Sequence, residues 1–382
     1  MSIEETTHES PLQKWIEDVI ATIDKEVREK ASGKPIFNDP RYHPKALSAQ
    51  HVHSFPMVSD SERKMAFIDG GSRHLLVTPS FCVSLVRVYF SLFDGLDRQS
   101  VSKVPRTIDF YVVVRSRNTN NDIEYRGKLF PKEKRYGQLL PKEQDLHLNS
   151  WDRSIMAGKM RAPIERIASA ARRFAEWKLA AMVASDVLDA HDIIVRDGSL
   201  QTTVTNEATY AEQLYDAAKE QNVIVTGVAK TSRLYTDSGN SLLTVIRRLG
   251  EKKYPANRWY YYPVVKIEHP DHKAELYYVK FHPQADYVFR FEIYRDQARA
   301  MSRTEQERIL GTLARNSRDI TFPGYPYGLI DADRFSRIRS DEVENHIAML
   351  KAEASKNGRW ERLKKYLHAT NAHDKLNEVV GV

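Results

Sequence analysis

The stretch MAFIDGGSR, residues 65–73, is a short apolar run that ends on Asp-Gly-Gly-Ser. Met65, Phe67 and Ile68 read as a buried strand, and the glycines after Asp69 let the backbone turn and leave its carboxylate at the strand tip. The pattern recurs in DIIVRDGSL, residues 192–200, where Asp197 again runs into Gly-Ser. One Asp-Gly alone is usually a β-turn. Two of them, each closing an apolar run, set a second reading beside that one: paired carboxylates at strand tips, where open sheets gather ligands. Carboxylates suit Mg²⁺ or Mn²⁺, which take oxygen ligands.

The flanking sequence predicts the sheet around these tips. LLVTPSFCVSLVRVYFSLF (75–93) and TIDFYVVVRSR (107–117) follow, rich in Val, Phe and Tyr, so residues 65–117 predict an antiparallel meander. Residues 118–150 are polar and Lys-rich and read as an insertion or long loop. A helix is predicted from about Arg161 to Asp189, with Ile164, Ile167, Ala168, Ala171, Phe174, Ala175 and Met182 on its apolar face. The strand 192–200, a helix over 208–221 and the strand NVIVTGVAK (222–230) come next. Helix–strand–helix–strand order favours parallel pairing, so the pattern predicts a mixed α/β fold. RWYYYPVVKI (258–267), AELYYVKFH (274–282) and YVFRFEIYR (287–295) read as later strands. Ser302 with Glu305 forms a capping box that opens a helix to about Ala314.

Outside this region the chain reads as helical additions. Ser10, Pro11 and Gln13 form a helix start, and Leu12, Trp15, Ile16, Val19, Ile20, Ile23 and Val27 form one stripe that is expected to pack on its own domain. The predicted organisation is an N-terminal helix and irregular segment (1–60), a central domain (61–340) and a C-terminal helical segment (341–382).

The composition excludes several classes. The chain has 382 residues, a single cysteine, Cys82, and a formal net charge of +7. One cysteine excludes an intrachain disulfide and a multi-cysteine zinc site. No apolar run approaches the ~20 residues that cross a bilayer, and the polar N-terminus lacks a secretory h-region, so a cytoplasmic protein with no membrane partner is expected. Between Trp151 and Met182, seven basic residues (Arg153, Lys159, Arg161, Arg166, Arg172, Arg173, Lys178) face three acids (Asp152, Glu165, Glu176). That face is either solvated surface or a phosphate-tracking surface. The aromatic run Trp259–Tyr262 could stack bases, but alternation along a strand favours a half-core role.

Three further segments carry candidate chemistry. Glu176 lies on the basic helix, where Arg172 four residues earlier favours a plain ion pair. Lys230 follows the strand VIVTGVAK and could hold a phosphate or steady a carboxylate. GYPYGLIDADR (324–334) supplies Tyr325, Asp331, Asp333 and Arg334, and otherwise reads as a turn into a capped helix.

At five segments, in order, the chain resembles the NurA family of DNA end-processing nucleases. They are FIDGGS (67–72), ARRFAEW (171–177), RDGSL (196–200), GVAKTSR (227–233) and GYPYGLIDADR (324–334). The resemblance implies a ribonuclease-H-like, Piwi-like mixed sheet flanked by helices. It also implies a ring-like homodimer, cleavage of DNA with Mn²⁺ or Mg²⁺ (5′–3′ exonuclease and single-strand endonuclease), and a HerA-type hexameric ATPase as partner in end resection and double-strand break repair. By the same resemblance, Asp69, Glu176, Asp197 and Asp333 would bind metal, and Lys230 and Tyr325 would complete the catalytic set. Arg73, Arg172, Arg173, Arg196 and Arg233 would contact DNA. Asp333 stands where some relatives have histidine, and Gly328 where many have proline. Two other readings remain at this level: a catalytically weak DNA-binding or HerA-docking scaffold, and an actin-like-fold ATPase. The latter needs Gly-rich phosphate loops beyond the two Asp-Gly turns.

Overall fold

Period-2 burial builds the first three strands. In a computed structural model of the chain, which describes residues 10–27, 33–58, 63–120, 122–356 and 358–368, β1 (Lys64–Val77), β2 (Phe81–Asp94) and β3 (Thr107–Thr119) pair antiparallel in chain order. In β3, Ile108, Phe110, Val112 and Val114 are buried while the residues between them are more exposed, as a half-buried strand requires. β4 (Asp122–Pro131) and β5 (His147–Asn149) continue the sheet beyond β3. Helix α2 (Arg166–Asp186) leads to β6 (Ile193–Asp197), and α3 (Glu207–Glu220) leads to β7 (Ile224–Ala229). β6 pairs parallel with β1 on one side and with β7 on the other. Three antiparallel strands followed by two parallel ones delivered through helices make this a ribonuclease-H-like sheet. β8 (Trp259–Tyr261), β9 (Ala274–Lys280) and β10 (Phe289–Tyr294) extend it antiparallel past β7.

The two sheet faces bury different helices. Ala66 and Ile68 point to the side of α2, where Phe174, Trp177 and Ala180 are buried with them. Met65 and Phe67 point the other way, into a second core with Ile309, Leu310 and Leu313 of α4 (Arg303–Asn316) and Leu329 and Ala332 of α5 (Tyr327–Ser336). Helix α6 (Ser340–Lys356) covers Leu75 and Leu85 farther along that second face. Among the described residues no helix is long and apolar enough to cross a membrane.

Four expectations are corrected. The first strand does not stop at Asp69: it runs on to Val77, and the turn falls at Thr78–Ser80, where Thr78 Oγ1 accepts from the Phe81 N–H at 3.0 Å. The stretch 118–150 is not a long loop. It holds the end of β3, all of β4 and β5, and the buried Leu129, Leu146 and Leu148, while its lysines lie on the surface. RWYYYPVVKI splits in two, because Trp259–Tyr261 joins the large sheet and Val265–Ile267 pairs instead with residues 42–44. Trp259, Tyr260 and Tyr261 are buried and Tyr262 is half-buried and stacked on Tyr277, so the run belongs to the core, as strand alternation favours.

The fourth correction concerns α1 (Pro11–Val27). Its capping box forms, with Ser10 and Gln13 bonded in both directions at 3.0 and 3.2 Å. Its stripe does not pack on the domain: Leu12, Trp15, Ile16, Val19, Ile20 and Ile23 are 46–67% exposed.

Gly328 is where α5 meets β1. A Cβ placed there would lie 2.0 Å from the Phe67 ring, and Phe67 is fully buried. Gly328→Ala is therefore expected to lower stability by about 1–3 kcal/mol through overpacking, read as a lower urea midpoint at unchanged slope.

Candidate metal centre

Register makes Asp69 and Asp197 neighbours. The last parallel pair of β1 with β6 is Ile68 with Arg196, and each aspartate is the next residue along its strand. Asp69 stays paired with Tyr89 of β2 as β1 continues. Asp197 ends β6 opposite Val228, and Gly198 then leaves the sheet at a φ of +102° that side chains rarely adopt. The glycines after Asp69 serve close approach instead of a turn. A Cβ on Gly70 would lie 2.6 Å from Glu176 Oε1, and one on Gly71 would lie 2.3 Å from the Ser336 carbonyl oxygen.

Asp333 arrives on α5, which packs on the face that Asp69 shares with Phe67. Carboxylate oxygens of Asp69, Asp197 and Asp333 all lie within 4.8 Å of one another. Lys230, directly after β7, bridges two of them, donating to Asp197 at 2.7 Å and to Asp333 at 2.9 Å. The Tyr325 hydroxyl reaches Asp197 Oδ1 at 3.4 Å, and its ring centre is 5.6 Å from the Lys230 ammonium. Asp69 accepts from the Gly70 N–H at 2.7 Å and from the Ser336 hydroxyl at 3.0 Å. Arg337 donates to Asp333 at 2.8 Å.

The electrostatics follow from crowding. Burial, then the charges of Asp197 and Glu176, push the Asp69 carboxyl up to about 7. Burial also acts upward on Asp333, but hydrogen bonds from Lys230 and Arg337 hold it below the ordinary carboxylate value. Burial acts downward on Lys230 and is outweighed by Asp197 and Asp333, so the ammonium is held more firmly charged. Burial, reinforced by Asp197 and Asp69, pushes the Tyr325 hydroxyl far up and keeps it neutral. Three carboxylates without sulfur or imidazole form a donor set that fits a divalent cation of the Mg²⁺ or Mn²⁺ kind. An ammonium already bridging two of them shows that the position favours positive charge.

Glu176 lies beside this trio but is bound elsewhere. Arg172 and Arg196 each take one of its oxygens, Arg196 at 3.0 Å, and both Glu176 and Arg196 are buried. The guanidinium of Arg196 also stacks on Trp177, 3.5 Å from the ring centre. Arg196 is thus an interior residue and not a DNA contact. Arg173 pairs with the buried Glu207, and Arg172 also donates to the Gly70 carbonyl at 2.9 Å. Lys178 donates to the carbonyls of Gln138 and Leu140, both at 2.7 Å. Much of the basic helix face is therefore committed to internal bonds instead of tracking phosphates. Arg73 and Arg233 are exposed. Ser336 and Arg337 were missed in the sequence. Their i+3 and i+4 spacing from Asp333 is the signal that points to them.

The chain is thus a ribonuclease-H-like sheet with three carboxylates gathered where its parallel pairing ends. Residues 63–338 match the NurA domain, and the chain belongs to the NurA family. Crystal structures of NurA, without and with manganese, align over 90% of this chain and 97% and 98% of theirs, at 9% identity and TM-scores of 0.43 and 0.44. Endonuclease V of Ciona intestinalis, in complex with an inosine-containing DNA, aligns over 72% of this chain and 84% of its own, at 12% identity and a TM-score of 0.33. No curated protein sequence matches the chain.

Two outcomes test the electrostatics. A carboxyl raised in the folded state stabilises fully below its unfolded value, near 3.8, and that contribution is lost as pH rises through about 7. The stability of metal-free Asp69→Asn relative to wild type should therefore grow between pH 4 and pH 8, by up to about 4 kcal/mol. Thermal melts across that range in EDTA would refute this if the two proteins ran parallel. Glu176→Gln should cost about 3–5 kcal/mol in denaturant unfolding, because it leaves Arg196 buried with its charge uncompensated.

Proposed function

We propose that the chain is a divalent-metal-dependent DNA nuclease. The observation that carries this reading is the convergence of Asp69, Asp197 and Asp333 within 4.8 Å at the end of the parallel strands in a NurA-family chain. These three residues would hold Mn²⁺ or Mg²⁺, which when bound lowers the pKa of a coordinated water and stabilises the leaving 3′ oxygen. Lys230 sets a fixed positive charge beside the scissile phosphate, where negative charge develops on its oxygens. The neutral Tyr325 hydroxyl is a donor at the same place. Glu176 acts as a positioning residue: with Arg172 and Arg196 it braces Gly70, and its charge raises the Asp69 carboxyl. Arg73 and Arg233 are free to contact the DNA backbone.

The finer reading follows the family. The enzyme acts 5′–3′ on ends and on single strands, as a homodimer, with a HerA-type translocase in end resection and double-strand break repair. The uncovered stripe of α1 supports a partner contact of this kind, since six large apolar side chains would leave water on assembly. The second reading, a DNA-binding or HerA-docking scaffold, draws on Lys230 already occupying the position between Asp197 and Asp333.

Cleavage of 5′- and 3′-labelled single- and double-stranded DNA with Mn²⁺, Mg²⁺ or EDTA decides between them. Wild type should cut only with metal. Asp69→Asn and Asp197→Asn should each lose about 100-fold or more in rate while still binding DNA. Metal-independent cutting, or mutants that cut like wild type, would overturn the assignment. DNA binding without cutting, even with the ATPase partner present, would leave the scaffold reading.

A further inference from the structure

Beyond α6, the sheet face that carries Asp69 is bare and basic. Strand register puts Val113 opposite Lys128, Arg115 opposite Arg126, and Arg126 opposite His147, all on this face, while Val112, Val114, Tyr125 and Leu129 point into the core. Arg115, Arg117, Arg126, Lys128 and Phe130 line a groove of about 670 Å³. Arg126 is bonded to Glu124 at 2.6 Å, and the one acid of the groove, Glu143, accepts the Leu129 N–H at 2.9 Å. Arg115, Arg117 and Lys128 are exposed, and none is paired with a carboxylate among the described residues. Phe130 is 43% exposed, with the Lys128 ammonium 5.5 Å from its ring centre.

This arrangement works against the sheet. Like charges directly opposite on neighbouring strands destabilise their pairing. Arg115 faces Arg126, and the one acid on this stretch of the ladder, Glu124, is bonded to Arg126 and stands opposite Arg117, so one carboxylate answers three arginines. Three unpaired cations beside an exposed ring fit a phosphate backbone with room for a base to stack. An acidic protein surface would not call for the aromatic ring in the same way.

We propose that this face of β3, β4 and β5 is a second DNA-contact platform, remote from the carboxylates. Asp69 lies level with Tyr89 and Thr107 across the sheet, and Arg115 is eight residues farther along β3. Phe130, opposite Tyr111, is four residues along and Lys128, opposite Val113, is six. At ~3.3 Å per residue the platform therefore runs from about 13 Å to about 26 Å along the strands from the level of the carboxylates, or roughly four to eight base pairs of B-form DNA at ~3.4 Å each. It grips the substrate away from the bond being cut. This inference rests on the nuclease reading and extends its DNA path.

The test uses the full chain in EDTA, a labelled 30-mer as single strand and duplex, and anisotropy at several KCl concentrations. In Arg115→Gln/Arg117→Gln/Lys128→Gln, affinity should fall on the order of tenfold. The slope of log K against log salt should flatten by about two to three on duplex DNA, since each lost phosphate contact removes about 0.9. Melting temperature should hold, because the three side chains are exposed and form no salt bridge among the described residues. If the triple variant does not fold, Lys128→Gln alone should flatten the slope by about one. An unchanged slope and affinity, with wild type still cutting DNA, overturns the platform alone. Wild type that neither binds nor cuts DNA overturns the nuclease reading with it. Unchanged DNA binding with lost binding to anionic phospholipid vesicles would also overturn the assignment to DNA.

Discussion

The structure depends on a parallel pairing only four residues long. Met65–Ile68 runs beside Ile193–Arg196, and both strands then deliver an aspartate at the same level. Side chains alternate along a strand, so a slip of one residue would send one carboxylate to the α2 face and the other to the α5 face. The apolar side chains hold that register. Phe67 belongs under α5 and Ile68 under α2, and exchanging them would expose one core and overfill the other. The position of the acids is thus a by-product of hydrophobic bookkeeping on two faces.

Two charge systems share the sheet without merging. On the α5 face, carboxylates crowd together and one lysine answers two of them. On the α2 face, Glu176 is locked between Arg172 and Arg196 under Trp177. Gly70, without a side chain, lets the two come close enough for Glu176 to be felt at Asp69. A rigid ion pair behind a crowded carboxylate sets the local potential without offering a ligand of its own. The helix that reads as a basic surface in the sequence is mostly the back wall of the site.

What the sequence makes legible follows from how local the signal is. Asp69, Asp197 and Lys230 come together because each closes an apolar run, and those runs are neighbouring strands in register; the apolar runs themselves can be read from the sequence. The capping box at Ser10 forms in both directions. At Ser302 the cap half forms, with Ser302 Oγ accepting from the Glu305 N–H, while the Glu305 carboxylate turns to Arg63 and Arg308. The pair of Arg172 with Glu176 is legible from its i,i+4 spacing and forms, whereas the fates of Arg173 and Arg196 are not, because their partners lie across helix–helix and helix–strand contacts. The end of the first strand was misplaced for a different reason. Gly70 and Gly71 look like a turn in one dimension, whereas here they admit Glu176 and Ser336 from opposite sides. The strands within 118–150 were hidden because an edge of a sheet with one wet face carries lysines as readily as a loop does. The stripe of α1 was read correctly as a helix face, but a pattern cannot say which surface covers it.

The hydrogen bond from Ser336 to Asp69 joins residues 267 positions apart. Its helix also supplies Asp333, so the carboxylate trio is a late product of synthesis. A chain emerging from the ribosome presents Asp69 early and Asp197 midway, and their strands can pair while the rest is still being made. The third acid does not exist until 136 residues beyond Asp197 have been translated. The centre is therefore incomplete throughout elongation, and a truncated nascent product lacking α5 carries the sheet without the charge cluster.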